Sequence, residues 1–252
     1  MPRNDKFYPR ERVKAADFYI DTVFSIIHED DDILVVDKPA PLAVHPVGSY
    51  FDLNLHTLLK KDPRWRDVKL HFAHRLDAET SGVIVAAKTH EAARHLGIEF
   101  MNGRVEKTYH ALVFGASPEA GEIDIAMGKD HCSGFQTARI PDPAGEKALT
   151  RYKTLWSKDG YSWVEVTPLT GRTHQIRAHL SFIGHPIVGD KIYIDISIFQ
   201  KYVVHGIDAA MLERLKLRRL ALHASAIRFR HPRHREEVAF RSPAPDFLKE
   251  LS

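Results

Sequence analysis

Two runs of alternating apolar and polar residues, 150–156 and 161–167, are separated only by Ser157, Lys158, Asp159 and Gly160. Period-two alternation marks a strand with one buried face, and so short a polar connection joins two strands as an antiparallel hairpin. A second pair of runs, 221–229 and 237–240, flanks His231-Pro232 and reads the same way. Ile33-Leu34-Val35-Val36 and residues 83–87 are compact apolar runs that read as buried strands. Residues 105–114 form a further strand, on which Val105, Lys107, Tyr109, Ala111 and Val113 share a face. Helices are fewer. Asn54 caps a short one over 55–60, and Thr89 caps one over 90–101 that Asn102-Gly103 stops. Thr173 caps another that Gly184 ends, with Ile176, Leu180 and Ile183 as its buried stripe. A helical stretch lies near 207–217, and a short closing helix over 245–251 starts with proline. Many strands, few helices and hairpin connections give an α+β fold, a largely antiparallel sheet flanked by helices and loops.

Between a strand at 68–72 and the apolar run at 83–87 lies His74-Arg75-Leu76-Asp77-Ala78-Glu79-Thr80-Ser81-Gly82. If the first strand persists to Asp77, then Arg75 and Asp77 point to the same face. A guanidinium beside a carboxylate favours its charged form. An ionised aspartate in a cleft serves as nucleophile, base or electrostatic stabiliser, although most loop aspartates are turn formers. Arg177 falls on the first turn of the third helix, beside its apolar stripe. A cation there opposes the helix dipole, which calls for an anionic partner: Asp77 or a phosphate.

Composition bounds the function. Of 252 residues 44% are apolar and 27% charged, as in soluble globular proteins. No run reaches the length of a membrane span, and the first residues carry no apolar signal core. The single cysteine, Cys132, excludes a disulfide framework and points to a reducing cytoplasm. Residues 1–50 hold six Lys/Arg against nine Asp/Glu, whereas residues 201–235 hold nine against two. That asymmetry suits a polyanionic partner, with the stretch from Arg214 to Arg235 as a basic face. Residues 115–148 show little period and read as a long surface excursion.

Several motifs resemble those of the RluA-type pseudouridine synthases. They are His74-Arg75-Leu76-Asp77 with Thr80-Ser81-Gly82; Lys107-Thr108-Tyr109-His110-Ala111; and Gly171-Arg172-Thr173-His174-Gln175-Ile176-Arg177-Ala178-His179-Leu180 with Gly184-His185-Pro186-Ile187-Val188-Gly189-Asp190. Val36-Asp37-Lys38-Pro39, His45-Pro46 and Leu222-His223-Ala224 add to the agreement, and the order and spacing match from about residue 30 to 250. The resemblance implies a cleft across the sheet in which uridine of ribosomal or transfer RNA becomes pseudouridine, with no cofactor and no metal. It implies Asp77 as the essential nucleophile or base, Tyr109 packed on the target base and Arg177 paired with Asp77. By the same likeness Arg75 enters the RNA stack where the uridine has left, and Lys107, Arg172 and His174 contact RNA. Ile176, Leu180 and Tyr109 are expected to line an apolar uracil pocket, because a detached base must be kept from water. The expected organisation is an arm over residues 1–30 and a catalytic domain over 31–252, acting as a monomer, with no room at the amino end for a separate RNA-binding domain. A non-catalytic RNA-binding protein of this fold would lack Asp77. A metal hydrolase lacks its His-Glu-x-x-His helix, and a kinase lacks a glycine-rich phosphate loop.

Overall fold

The structure, a computed structural model, describes residues 20–47, 50–131 and 138–251. Twelve strands and five helices are found among them. The strands are β1 (Ser25–Glu29), β2 (Ile33–Lys38), β3 (His71–Phe72), β4 (Ser81–Ala87), β5 (Glu106–Phe114), β6 (Ala120–Asp124), β7 (Met127–Lys129), β8 (Arg139–Pro141), β9 (Leu149–Lys158), β10 (Tyr161–Pro168), β11 (Leu222–Arg230) and β12 (Glu237–Arg241). The helices are α1 (Leu55–Lys61), α2 (His90–Met101), α3 (Gln175–Phe182), α4 (Ile196–His205) and α5 (Ala209–Leu215).

One ten-stranded sheet runs β1-β2-β4-β11-β5-β10-β9-β6, with β3 added to β4 and β12 to β11. Every pairing in it is antiparallel except β4 with β11. Both expected hairpins form. The first turns through Asp159 and Gly160, both at positive φ, which is the backbone that a two-residue turn needs to follow the strand twist. The compact apolar runs are buried on both faces. Ile33, Val35, Val83 and Val85 pack with Leu96 of α2, while Leu34, Val36 and Ile84 belong to the larger core with Leu59, Ile176 and Leu180. Asn54 and Thr89 cap α1 and α2 as expected, accepting from the amides of Thr57 and Ala92.

Several expectations change. β3 ends at Phe72, so Asp77 lies in an irregular loop and strand alternation does not set its direction relative to Arg75. Thr173 is not the cap of α3. His174 holds that position in the left-handed region at φ 55 with no side-chain cap, and the Gln175 side chain accepts from the Arg172 amide instead. Residues 245–251 form turns rather than a helix. Within the expected arm, residues 25–29 already belong to the sheet as β1; residues 1–19 lie outside the described residues. The described residues of the stretch 115–148 include three strands. β6 closes one edge of the sheet, β7 pairs with β8, and Met127 and Ala148 pack on Ala178 of α3. Cys132 lies outside the described residues.

The parallel contact of β4 with β11 sits at the exit of the Asp77 loop, where His223 faces Ser81 and Ala224 faces Gly82. Gly82 has φ +108, and a Cβ there would lie 2.2 Å from the Ala224 carbonyl oxygen. Gly82→Ala is therefore expected to lose about 3 kcal/mol or more, from backbone strain plus a clash with main chain. Gly97 in α2 is the opposite case, with nothing within 4 Å of an added Cβ. Gly97→Ala should gain about 0.5–1 kcal/mol. Urea unfolding of both variants checks this, and a neutral Gly82→Ala would contradict the register drawn here.

Candidate active site

The loop after β3 crosses the sheet where β5, β10 and α3 converge. Tyr109 stands on β5, opposite Val166 of β10 and Ala224 of β11. The residues after β10 turn back over the sheet, held by Gln175. Its Oε1 accepts from Thr170 Oγ1 at 2.7 Å and the Arg172 amide at 3.0 Å, while its Nε2 donates to the Leu149 carbonyl at 3.0 Å. Lys107 Nζ donates to the Thr170 carbonyl at 3.2 Å and ties β5 to the same loop. Between these walls lies a cleft of about 600 Å³, the size of an ordinary small-ligand site. Arg75, Asp77, Lys107, Tyr109, Arg172, His174, Ile176 and Arg177 all line it.

Arg177 is the centre of the polar network. Its Nη1 donates to Asp77 Oδ2 at 3.0 Å. Its Nε and Nη2 donate to Asp190 Oδ2 and Oδ1 at 2.7 and 2.9 Å, a two-pronged clamp. Asp190 is fully buried, and its Oδ1 also accepts the amides of Ile192 and Tyr193. The Tyr193 ring lies 5.2 Å from the guanidinium, and its hydroxyl accepts the Arg139 amide. Arg177 itself is 9% exposed, whereas Asp77 keeps 21% of its side chain open. The carboxylate is thus gripped on one side and reachable on the other.

Burial by itself would raise the Asp77 carboxyl. The charge that His174 takes up on acidification, the Arg177 and Arg75 guanidiniums and the hydrogen bond from Arg177 outweigh that and hold it below the usual aspartate range. His174 Nε2 stands 3.7 Å from Asp77 Oδ2, but burial and the Arg177 charge hold the imidazole down to about 4. At neutral pH, His174 is therefore uncharged. The cation facing Asp77 is Arg177, with exposed Arg75 farther out at the cleft mouth. Burial and the Asp77 charge push the Tyr109 phenol up, so it stays protonated.

The remaining expected residues divide. Ile176 lines the cleft, but Leu180 does not; at 1% exposure it sits in the core beneath α3. His174 is a buried wall beside Asp77 rather than a surface group. Arg172 is exposed at the rim, with Nη1 on Glu146 at 2.9 Å. The basic stretch from Arg214 to Arg235 forms no single unpaired face. Arg214 pairs with Asp195, Arg219 with Glu250, and Arg233 with Asp31 and Asp32. Asp190 closes one of the motifs that carry the family resemblance, but nothing in the sequence gave it a role or a partner, and Tyr193 gave no functional signal. Among the described residues, no group of three or more His, Cys, Asp or Glu is arranged to hold a metal ion.

The site is thus a clamped carboxylate, held below the usual aspartate range, facing an open cleft on an α+β sheet. Residues 32–182 match the family described as RNA pseudouridylate synthase. The chain is 34% identical over 229 residues to the ribosomal large subunit pseudouridine synthase D of Haemophilus ducreyi, covering 89% of this chain and 69% of that protein. With the protein of the same name from Pseudomonas aeruginosa it shares 36% over 237 residues, covering 92% and 72%. The solved structure of human RNA pseudouridylate synthase domain containing 1 superimposes with a TM-score of 0.69 at 29% identity, covering 88% of this chain and 84% of that one. The chain belongs to the RNA pseudouridylate synthase family, whose members isomerise uridine to pseudouridine in RNA.

The network carries a stability prediction. The folded carboxyls of Asp77 and Asp190 both titrate below their ordinary values. Their contribution is complete above the unfolded value near ~4 and is lost as pH falls through the folded values. Arg177→Met would strand the buried Asp190 charge and should cost about 3–5 kcal/mol at neutral pH. Adding Asp190→Asn should recover part of that. Urea unfolding measures both, and a single-variant loss under ~1 kcal/mol, the range of exposed pairs, would contradict the burial of this pair.

Proposed function

We propose that the chain modifies uridine in large-subunit ribosomal RNA, as its named bacterial relatives do, with Asp77 as the group that starts the reaction. The observation that supports this most strongly is the Asp77 carboxylate, held charged by Arg177 and open only to the cleft. In the isomerisation the N1–C1′ bond breaks, the detached uracil turns, and C5 bonds to C1′. C5 then gives up its proton and N1 gains one, so the composition of the nucleotide is unchanged. Every role open to Asp77 requires the ionised form, whether attack on the sugar, attack on the ring, or removal of a sugar proton. On this reading Tyr109 packs against the uracil. Its raised phenol is a hydrogen-bond donor rather than a standing base. Ile176 supplies apolar wall beside it.

A stacked uridine hides its glycosidic bond, so it must swing out, at a cost of a few kcal/mol. Arg75, exposed at the mouth, is placed to fill the gap the base leaves, while Lys107 and Arg172 meet neighbouring phosphates. Residues 31–252 act as the catalytic domain, and the chain works as a cytoplasmic monomer. Transfer RNA is the alternative substrate.

Mapping pseudouridine in total RNA from cells with and without the gene tests the reading. Loss of one or more large-subunit sites is expected, restored by the wild-type gene and not by Asp77→Ala, although that variant still binds the RNA. Sites lost only from transfer RNA would overturn the ribosomal assignment. Restoration by Asp77→Ala would overturn the role of the carboxylate. Arg75→Ala should lower the rate of isomerisation on folded RNA well beyond its effect on RNA affinity; equal losses in both would count against its insertion into the stack.

A further inference from the structure

Asp190 and Lys191 are adjacent in the chain and grip opposite ends of the active centre. Asp190 clamps Arg177, which holds Asp77. Lys191 turns the other way. Its Nζ donates to both oxygens of Glu79, at 2.7 and 2.9 Å, and to the Arg218 carbonyl at 2.8 Å. The ammonium thus has a partner for each of its three protons, and it lies 5.0 Å from the Tyr202 ring centre. Lys191 is 3% exposed and Glu79 22%. Glu79 is two residues beyond Asp77, inside the turn that the Thr80 amide closes on the Asp77 carbonyl at 3.1 Å. The contacts form a closed circuit: Asp77, Arg177, Asp190, then one peptide bond to Lys191, then Glu79, and through Ala78 back to Asp77.

Packing holds that loop at Leu76 and at buried Thr80 and Ser81, but Asp77, Ala78 and Glu79 between them are only half-buried. The 600 Å³ cleft lies on one side of it, and the described residues leave a cavity of about 830 Å³ on the other, lined in part by Lys38, Glu79, Ser81 and Tyr202. With space on both sides, these three residues are held by discrete ties. One is at its midpoint, where the Ala78 carbonyl accepts from the Leu42 amide at 2.8 Å and from Lys38 Nζ at 3.2 Å. The Lys191–Glu79 pair is the tie just beyond it. A buried ion pair is weak as a source of stability but strong as a specifier of geometry, because breaking it strands a charge. We infer that the Lys191–Glu79 pair is a positioning device that sets the place of the Asp77 carboxylate against Arg177 and the substrate. The inference rests on Asp77 being the catalytic group.

A misplacement of about 1 Å costs on the order of 10²-fold in rate. Lys191→Met is therefore expected to lower single-turnover pseudouridine formation about 100-fold per folded molecule. RNA affinity should stay within about threefold of wild type, since neither residue lines the cleft. Lys191→Arg, which keeps the charge and adds a forked donor, should recover most of the rate. A pair that serves only stability would instead show normal rates per folded molecule, with the loss confined to the unfolding midpoint. Should Lys191→Met fail to fold, Glu79→Gln answers the same question from the partly exposed partner, with a fall of about tenfold or more expected. The proposal is overturned if the folded variant turns over within twofold of wild type, or if its loss lies wholly in RNA binding. The wild-type protein is assayed first on the same RNA. Its inactivity would count against the choice of RNA substrate, whereas an active wild type matched by Lys191→Met counts against the brace alone.

Discussion

The bidentate contact between Arg177 and Asp190 is the interaction on which the rest of the site depends. An arginine with 9% of its side chain exposed must be neutralised inside the protein, and Asp190, fully buried, does this with both oxygens. That leaves the third nitrogen free to reach Asp77 across 100 residues of sequence. One cation thus serves a fully buried carboxylate and one that faces the cleft. The first is saturated by the guanidinium and two backbone amides; the second keeps an open side. The two aspartates differ in solvent access, although Arg177 helps to hold both below the usual range, joined at Asp77 by His174.

Several of the sixteen histidines serve the fold. His179 bridges Thr150 and the Ile125 carbonyl. His223 accepts from Ser81 and meets the Ser242 carbonyl, fastening β11 to the exit of the Asp77 loop. His74 stacks on Phe100, and its Nε2 accepts the Val85 amide. Burial holds His74 down to about 3, so its ring is a neutral strut at the entrance of the loop. Lys38, fully buried, gives its ammonium to three carbonyls, one of them Ala78 next to Asp77. Lys38 feels the Asp77 charge, but burial holds its amine down to about 7.

The sheet was legible because its signals are local. Alternation names the strands, an Asp-Gly turn names the first hairpin, and Asn54 and Thr89 announce their helices through bonds spanning three residues. That Asp77, Tyr109 and Arg177 would meet in one cleft was legible through the words around them. What escaped depends on distance or on tertiary context. Asp190 lies 13 residues from Arg177, and nothing in a lone aspartate after a glycine says which side chain it meets. The helix Ile196–His205 was missed because its β-branched, aromatic-rich run reads equally as a strand. Leu180 was assigned to the pocket from a helical stripe that faces the core, and only Ile176, one turn earlier, reaches the cleft. Thr173 offered a helix cap, but the chain enters α3 one residue later, through His174 in the left-handed region.

The central claim is that the Asp77 carboxyl remains ionised in a buried place because Arg177 faces it. Carbon-13 NMR of the carboxyl carbons, with the Asp77 signal assigned by its absence in Asp77→Asn, measures this directly. Titration from neutral pH downward should show Asp77 charged throughout the folded range, protonating only below the ordinary aspartate value near ~4. A midpoint above that value would show burial prevailing over the guanidinium and would contradict the account.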